Sequence, residues 1–398
     1  MDPHTDIQPF RIEIPASAVR DLQRRIGETR WPKSPVADWS RGVPPGYLRE
    51  LAGYWGRQFD WRAQEARLNQ LPQYTTAIDG QTIHFVHARS PEPEATPLLL
   101  THGWPSSFVE FEKVIGPLAD PRRHGGSAAP AFHVIVPTLP GFGFSSALPA
   151  GGNLFHVASA WAKLMTQLGY ERFVAHGGDI GAGVTGMLPM VAPGRVAALH
   201  ITGPSLFPFG PAIDPAGLSP RDAERAARLN AFREEGTGYL RIQATRPQTL
   251  GYGLNDSPVA QLAWIVEKFA EWTDPGKPLP HEAVDRDQLL ALVSLCWFTE
   301  SGASSAHFSY DGMKAFAARA AAVGDAGLVQ PNAPPLGVSV FAGDFSIRAL
   351  LDPQGLAASW TEYDRGGHFP AMEAPELLVS ELRQFFRDRG ARSSPALA

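Results

Sequence analysis

The stretch His176-Gly177-Gly178-Asp179-Ile180-Gly181 decides how this chain folds. It follows Glu171-Arg172-Phe173-Val174-Ala175, a short apolar run that predicts a buried strand, and it precedes a helix-compatible run over residues 182–188. A strand, a tight turn of small residues and a helix lift one side chain above the sheet and leave backbone N–H groups beside it. The glycines let neighbouring backbone approach a strained residue closely. The residue at the apex of this predicted turn is Asp179.

An aspartate at this apex has two interpretations. As a nucleophile, it attacks a carbon atom that bears a leaving group and forms an alkyl ester. As a structural residue, it caps the following helix within an ordinary glycine-rich turn. The hexapeptide alone does not separate these two interpretations, so the rest of the chain has to decide between them.

The composition indicates a globular protein that does not bind nucleic acid. Of 398 residues, 44% are hydrophobic and 19% are charged, so the chain can bury a sizeable core. A net charge of −5 argues against a nucleic-acid partner, which requires a basic face. The single cysteine, Cys296, excludes an internal disulfide framework and a cysteine-based zinc site. The chain shows no signal-peptide pattern and no apolar run of about 18 residues, so we expect a cytoplasmic protein without a membrane anchor.

The order of strand and helix patterns predicts a mostly parallel α/β sheet that a helical block interrupts. Residues 1–75 are rich in aromatic side chains and are predicted to wrap the main domain. Residues 76–204 carry the first part of the sheet, and residues 331–398 carry the second part. The mainly helical residues 205–330 are predicted to form a lid over the carboxyl ends of the strands, where such sheets bind ligands.

A second motif, Thr101-His102-Gly103-Trp104-Pro105, lies directly after the predicted strand over residues 97–101. The backbone N–H of Trp104 and that of Ile180 are placed to form an oxyanion hole, with one donor following the nucleophile and one from this loop. The structural alternative is a simple turn in which Trp104 fills the core.

A histidine and an acid complete the constellation. His368 lies in a glycine-flanked loop after the last predicted strand, where it can reach the apex as a general base. Asp344 ends the preceding strand and can accept a hydrogen bond from the other ring nitrogen. Asp352, Glu362 and Asp364 are rival acids, although the last two are too close to His368 along the chain to reach its ring easily. The order nucleophile, acid, histidine favours a catalytic triad.

These motifs together resemble the microsomal-type epoxide hydrolases of the α/β-hydrolase superfamily. The resemblance covers nearly the whole chain, including the family's N-terminal domain at residues 10–32. The oxyanion motif matches at 102–105, the nucleophile motif at 178–181 and the histidine motif at 366–369. The resemblance implies an α/β-hydrolase fold with an inserted helical lid and an N-terminal wrapping segment.

The resemblance also implies two ring-opening tyrosines in the lid. Tyr239 lies in a stretch over residues 238–249 that resembles the family's pattern closely. Tyr310 falls where the second tyrosine is expected, in a weaker context, and Tyr252 is the spare candidate. The mammalian members carry an N-terminal membrane anchor that this sequence lacks, and some members use Glu where Asp344 stands.

The implied reaction converts an epoxide and water into a vicinal diol. Tyr239 and Tyr310 donate hydrogen bonds to the epoxide oxygen while Asp179 attacks a ring carbon. His368, oriented by Asp344, then activates the water that hydrolyses the ester.

The oxyanion of this hydrolysis rests on the N–H groups of Trp104 and Ile180. The reaction needs neither a metal nor an organic cofactor. Aromatic residues of the lid suggest an apolar or aromatic epoxide, although they also fit a simple core: Phe207, Phe209, Trp264, Trp272, Trp297 and Phe298.

Two alternatives stay open at this point. A haloalkane dehalogenase also uses an aspartate nucleophile but needs halide-binding N–H donors; Trp104 offers one indole, whereas Ile180 offers only its backbone. A catalytically silent hydrolase fold that acts as a binding protein would be expected to lack a triad member or the tyrosines, and none is missing. The sequence leaves open the particular epoxide, the stereochemistry, the oligomeric state and a detoxifying or biosynthetic role.

Overall fold

The computed structural model describes residues 7–126, 130–206, 208–323 and 333–389, with only the backbone from 316 to 323. Phe207, which the sequence analysis assigns to the lid, lies outside the described residues.

A nine-stranded sheet forms the centre of the described part of the chain. Its strands are β1 (Gln8–Phe10), β2 (Gln73–Ile78), β3 (Gln81–Ala88), β4 (Thr96–Thr101), β5 (Phe132–Pro137), β6 (Phe173–Gly178), β7 (Val196–Thr202), β8 (Leu336–Val340) and β9 (Ser359–Glu362). Their order across the sheet is β1-β2-β3-β5-β4-β6-β7-β8-β9. The pairs β1–β2, β2–β3 and β3–β5 are antiparallel, and all pairs from β5 to β9 are parallel.

Parallel strands bring their carboxyl ends to one edge of the sheet. The loops that follow β4, β6, β8 and β9 carry Trp104, Asp179, Asp344 and His368 in that order. The central strand β4 is buried along its whole length, as expected for a parallel strand covered on both faces. The topology therefore gathers residues that lie far apart in the sequence.

Helices cover both faces of the sheet and form the block between β7 and β8. They are α1 (Ala16–Gly27), α2 (Pro45–Arg57), α3 (Trp61–Leu68), α4 (Glu112–Ala119), α5 (Leu154–Gln167), α6 (Ile180–Val191), α7 (Pro220–Ala231), α8 (Gly238–Gln243), α9 (Pro247–Asp256), α10 (Pro258–Trp272), α11 (Pro280–Ala283), α12 (Arg286–Phe298), α13 (Ser301–Val323), α14 (Arg348–Leu351), α15 (Pro370–Glu373) and α16 (Pro375–Phe386). Short 3₁₀ turns lie at Phe108–Phe111 and Pro121–His124.

Strands β2 and β3 form a hairpin that turns at Asp79-Gly80. Ile78 pairs with Gln81 across a two-residue turn, and both turn residues have positive φ, 52° at Asp79 and 78° at Gly80. These are the backbone conformations that a tight hairpin requires, and an Asp-Gly pair adopts them readily.

The N-terminal segment packs against both the sheet and the helical block. Strand β1 extends the antiparallel edge of the sheet by pairing with β2. Trp55 of α2 is buried, and its indole Nε1 donates to Ser294 Oγ of α12 at 2.8 Å. This segment therefore shares one hydrophobic core with the remainder of the protein. Across the described ranges, no helix is both long and apolar enough to cross a bilayer.

Candidate active site

Asp179 occupies a strained turn between β6 and α6. Its φ of 51° and ψ of −125° place a non-glycine residue in the left-handed half of the Ramachandran map. A Cβ atom on Gly181 would lie 1.9 Å from the carbonyl oxygen of Thr101, so only glycine fits behind the turn. The Asp179 side chain makes no capping hydrogen bond to α6, which removes the structural interpretation of this residue.

The two carboxylate oxygens of Asp179 face different partners. Oδ1 accepts a hydrogen bond from the backbone N–H of Trp104 at 2.9 Å. Oδ2 lies 3.5 Å from Nε2 of His368. Burial raises the pKa of Asp179, but His368 and the backbone N–H groups of Trp104 and Ile180 outweigh burial and lower it. Asp179 is therefore held ionised, with one oxygen in the predicted oxyanion hole and the other beside the predicted base.

His368 is fixed by backbone contacts on both sides of its loop. Its own N–H donates to the carbonyl of Trp272 at 2.8 Å, and Gly343 N donates to Gly366 O at 3.0 Å. The imidazole packs on the Trp272 ring with centroids 5.0 Å apart. Burial alone would lower the pKa of His368, but the carboxylate of Asp179, followed by other acidic groups, raises it above its usual value.

Asp344, the predicted triad acid, acts on His368 through its charge, and no hydrogen bond joins the two side chains in the described part of the chain. It is buried, its Oδ2 accepts from Phe341 N at 2.7 Å, and its charge contributes to the raised pKa of the histidine. Two of the rival acids are engaged elsewhere: Asp352 accepts from backbone N–H groups of the 356–357 turn, and Glu362 binds Arg225. Of Asp344, Asp352 and Glu362, Asp344 is the acid that contributes to the raised pKa of His368.

Tyr239, at the start of α8, packs on Trp104 of the loop after β4. Its ring stacks on Trp104 with centroids 5.0 Å apart and planes 10° apart, and it meets Trp272 edge-on at 5.4 Å. Burial raises the pKa of Tyr239 well above its usual value, with further contributions from the negative charges of Asp179 and Glu271. The phenol therefore keeps its proton and is available as a hydrogen-bond donor.

The other two predicted tyrosines are placed differently. Tyr310 is half-buried on α13, and its hydroxyl accepts from the ammonium of Lys314, which also lies 3.8 Å from the Tyr310 ring centroid. Tyr252 is 70% exposed. Among the described residues, Tyr239 is the tyrosine whose pKa is affected by Asp179.

Two buried glutamates lie near His368 and were not predicted as site residues from the sequence. Glu110 lies in the 3₁₀ turn after the oxyanion loop, hydrogen-bonds to Ser106, and has its pKa raised by burial to about 7. Glu373 accepts from Phe369 N at 2.9 Å and from Asp274 N at 2.7 Å, and burial raises its pKa to about 8. Both carboxylates lie close enough to interact electrostatically with His368.

Glu373 belongs to a clamp between the histidine loop and the end of α10. Asp274 Oδ2 accepts from Gly366 N at 2.8 Å, which complements the Glu373 contacts and the bond from His368 N to Trp272 O. Asp274 and Glu373 are 99 residues apart in the chain, so no local pattern signals this pairing.

An apolar cavity opens beside Trp104. Its walls come from the loop after β4, the loop after β5 and the helices between β7 and β8, and they include Trp104, Phe142, Leu254, Trp264, Ile265, Leu292, Leu295 and Cys296. Burial raises the pKa of the Cys296 thiol to about 12, so this wall is unreactive at neutral pH.

Only part of the predicted aromatic lining reaches the site. Trp264 lines the cavity, and Trp272 contacts Tyr239 and the histidine. Phe298 instead packs on Trp61 of the N-terminal segment at 4.9 Å. Trp297 and Phe209 stack under arginines, Arg25 and Arg241 respectively. In the described ranges, no group of three or more His, Cys, Asp or Glu residues is arranged to hold a metal ion.

Comparison with known proteins identifies the class of this site. The model for the epoxide hydrolase N terminus matches residues 7–111, and that for the alpha/beta hydrolase fold matches residues 96–240. The structure of Aspergillus niger epoxide hydrolase superposes with a TM-score of 0.81 at 31% identity, covering 98% of each chain. The silkworm Bombyx mori juvenile hormone epoxide hydrolase gives a TM-score of 0.82 at 29% identity over 96% of this chain and 95% of that one. The chain is therefore an enzyme of the α/β-hydrolase fold, as predicted.

Proteins with similar sequences show to which family within this fold class the chain belongs. Epoxide hydrolase 1 of Sus scrofa is 34% identical over 95% of this chain and 88% of that protein. A Stigmatella aurantiaca protein provisionally named an epoxide hydrolase is 46% identical over 97% of this chain and 86% of its own length. The chain belongs to the epoxide hydrolase family, and the predicted resemblance to its microsomal-type members is confirmed.

Proposed function

We propose that this enzyme hydrolyses an epoxide to a vicinal diol through a covalent ester on Asp179. The proposal rests on one observation: the two oxygens of the Asp179 carboxylate contact different groups. Oδ1 lies on the Trp104 N–H at 2.9 Å, whereas Oδ2 faces His368 at 3.5 Å. Oδ2 is therefore the attacking atom, and Oδ1 becomes the carbonyl oxygen of the ester.

Ring opening requires a proton donor because an alkoxide is a poor leaving group. Tyr239 supplies it: as Asp179 Oδ2 bonds to a ring carbon, the carbon–oxygen bond breaks and the oxygen takes the phenolic proton. Tyr310 enters the proposal as a second donor only if its hydroxyl leaves Lys314, which it contacts in this structure.

Ester formation prepares the second step. While Asp179 is ionised, its charge raises the pKa of His368 and favours the protonated imidazole. Esterification removes that charge, so the pKa of His368 falls and the ring becomes a competent base. A water molecule then gives a proton to His368 and adds to the ester carbonyl carbon. The negative charge moves to Oδ1, where the N–H groups of Trp104 and Ile180 stabilise it. On collapse, the bond from the carboxyl carbon to the alkyl oxygen breaks, that oxygen takes the proton of the added hydroxyl, and the diol leaves as the Asp179 carboxylate re-forms.

The shape of the cavity supports an apolar or aromatic epoxide as substrate. Its walls are largely aliphatic and aromatic, so they favour a substrate that carries a hydrocarbon group beside the ring. The epoxide itself is then the polar part, placed at the Trp104 end of the cavity toward the Asp179 carboxylate that the Trp104 N–H contacts.

The test is product analysis with purified protein on a panel of aryl and alkyl epoxides and of haloalkanes. We expect diol from the epoxides and no halide from the haloalkanes, with diol formation abolished in Asp179→Asn. Asp256→Asn, at an exposed ion pair with Arg25, is the matched control and should keep full activity. Halide release would support a dehalogenase, and diol formation at full rate by Asp179→Asn would refute the covalent mechanism.

A further inference from the structure

A buried lysine lies next to the proposed proton donor. Lys268 belongs to α10, and its side chain is only 3% exposed. Lysine is rarely buried in this way unless its ammonium is paired. Here Nζ lies 2.7 Å from a carboxylate oxygen of Glu267 and 2.7 Å from one of Glu271. No other step of the proposed mechanism uses this cation.

The ammonium of Lys268 lies over the ring of Tyr239. The distance from Nζ to the Tyr239 ring centroid is 4.7 Å, and that to the Trp272 centroid is 5.8 Å. Both distances fall within the range of cation–π contacts, which strengthen when the cation is removed from water. The same Tyr239 ring stacks on Trp104, so it is enclosed by two indoles and an ammonium.

The charges around Tyr239 are arranged asymmetrically. Glu267 and Glu271 keep 31% and 40% of their side chains exposed, so water screens them, whereas Lys268 points inward. Lys268 contacts the Tyr239 ring, and the negative charges of Glu271 and of Asp179, in the turn after β6, act on its phenol. Of these three, Lys268 alone is positive.

Ring opening transfers negative charge onto this tyrosine. Asp179 loses its charge when its oxygen bonds to the ring carbon, and the epoxide oxygen gains it. As the phenolic proton moves to that oxygen, the charge develops on Tyr239. The proton that His368 gives up after esterification restores the phenol, and His368 regains a proton from water in the second step, so the cycle balances.

We propose that Lys268 is a positioning residue for epoxide opening, holding Tyr239 against Trp104 and stabilising the negative charge that develops on its phenol. The inference rests on the proposed role of Tyr239 in the proposed function. It assigns to α10 an electrostatic role in the first chemical step and none in hydrolysis of the ester.

The test separates the two steps by stopped-flow tryptophan fluorescence with styrene oxide in excess, since Trp104 and Trp272 border the site. Lys268→Met removes the charge and keeps the chain length, and Lys268→Arg keeps the charge. We expect Lys268→Met to slow ester formation about 5- to 30-fold, the size of a desolvated cation–π contact, and to leave ester hydrolysis within about twofold. Lys163→Met removes an exposed ion pair with Asp79 and should change neither rate.

A double-variant cycle distinguishes action through Tyr239 from general disruption. In a Tyr239→Phe background, Lys268→Met should slow ester formation by less than about twofold, because no phenolate can develop. Glu271→Gln removes a negative charge near the phenol, so its ester formation should be at least as fast as in wild type; this variant also covers a failure of Lys268→Met to fold.

Three results would overturn the inference: equal slowing by Lys268→Met in both backgrounds, slowing by Glu271→Gln as large as that expected for Lys268→Met, or unchanged ester formation in Lys268→Met. In each of these cases an active wild type leaves the proposed function standing. A wild type that opens no epoxide refutes the proposed function and this inference with it.

Discussion

Replacing Asp179 by Asn should lower the pKa of His368 substantially, because the aspartate is the nearest negative charge. The two side chains approach to 3.5 Å and are only 24% and 30% exposed. At that separation the Coulomb energy is about 1 kcal/mol in bulk water and about 5 kcal/mol at an effective dielectric constant of about 20. These limits correspond to a fall of about 1 to 3.5 pKa units.

The measurement is an NMR titration of ¹³C-labelled histidines in wild type and in Asp179→Asn, with His368→Gln to assign the signal. Burial lowers the pKa of His84 to about 3 and that of His102 to about 4, so these rings stay neutral through the titration. Asp344→Asn should shift His368 in the same direction by less. A His368 pKa that stays constant or rises in Asp179→Asn would refute the reasoning.

This change in the pKa of His368 explains why ester hydrolysis follows ester formation in the proposed mechanism. A protonated His368 cannot take a proton from water. While Asp179 is ionised, its charge favours this protonated form, so His368 becomes a base only after the ester has formed. Esterification of Asp179 neutralises the same charge that the Asn variant removes. The titration therefore measures, without any substrate, how far ester formation activates the base.

Further predictions concern the remaining groups of the site. Glu110→Gln removes a negative charge near the catalytic histidine, so the rise of ester hydrolysis with pH should move to lower pH by up to about one unit; an unmoved profile would contradict this. Glu373→Gln leaves one of two backbone N–H groups without an acceptor, which should cost about 1–3 kcal/mol of unfolding free energy in denaturant titration. Tyr239→Phe should slow ester formation about 100-fold or more, Tyr310→Phe less, and Tyr252→Phe not at all in stopped-flow traces. An effect of Tyr252→Phe as large as that of Tyr239→Phe would overturn the tyrosine assignment.

Local motifs made the nucleophile turn predictable. Gly181 is required because any side chain there would collide with the Thr101 carbonyl, and Asp179 occupies the strained position of the same turn. Both residues therefore belong to one short motif that can be recognised in the sequence. The oxyanion donor at Trp104 and the histidine at 368 follow strands in the same way. Parallel pairing then brings the strand ends to one edge of the sheet.

Other groups of the site could not be predicted from the sequence, because their partners lie far away along the chain. Glu373 pairs with a segment 99 residues away, and Lys268 reaches Tyr239 only because α10 packs beside α8. On a helix pattern, each of these charges is indistinguishable from a solvated surface residue. Tyr310 is a different case: its position along the chain fits the family, but its hydroxyl contacts Lys314, four residues later on the same helix α13.

The most direct test of the covalent mechanism is the intact mass of His368→Gln after incubation with the epoxide that wild type hydrolyses fastest. Without its base, the ester should accumulate. We expect a mass gain equal to the whole epoxide, mapped by peptide analysis to Asp179 and absent from the Asp179→Asn double variant. An unmodified His368→Gln protein, alongside a wild type that forms diol, would contradict a covalent ester and favour direct attack of water on the epoxide.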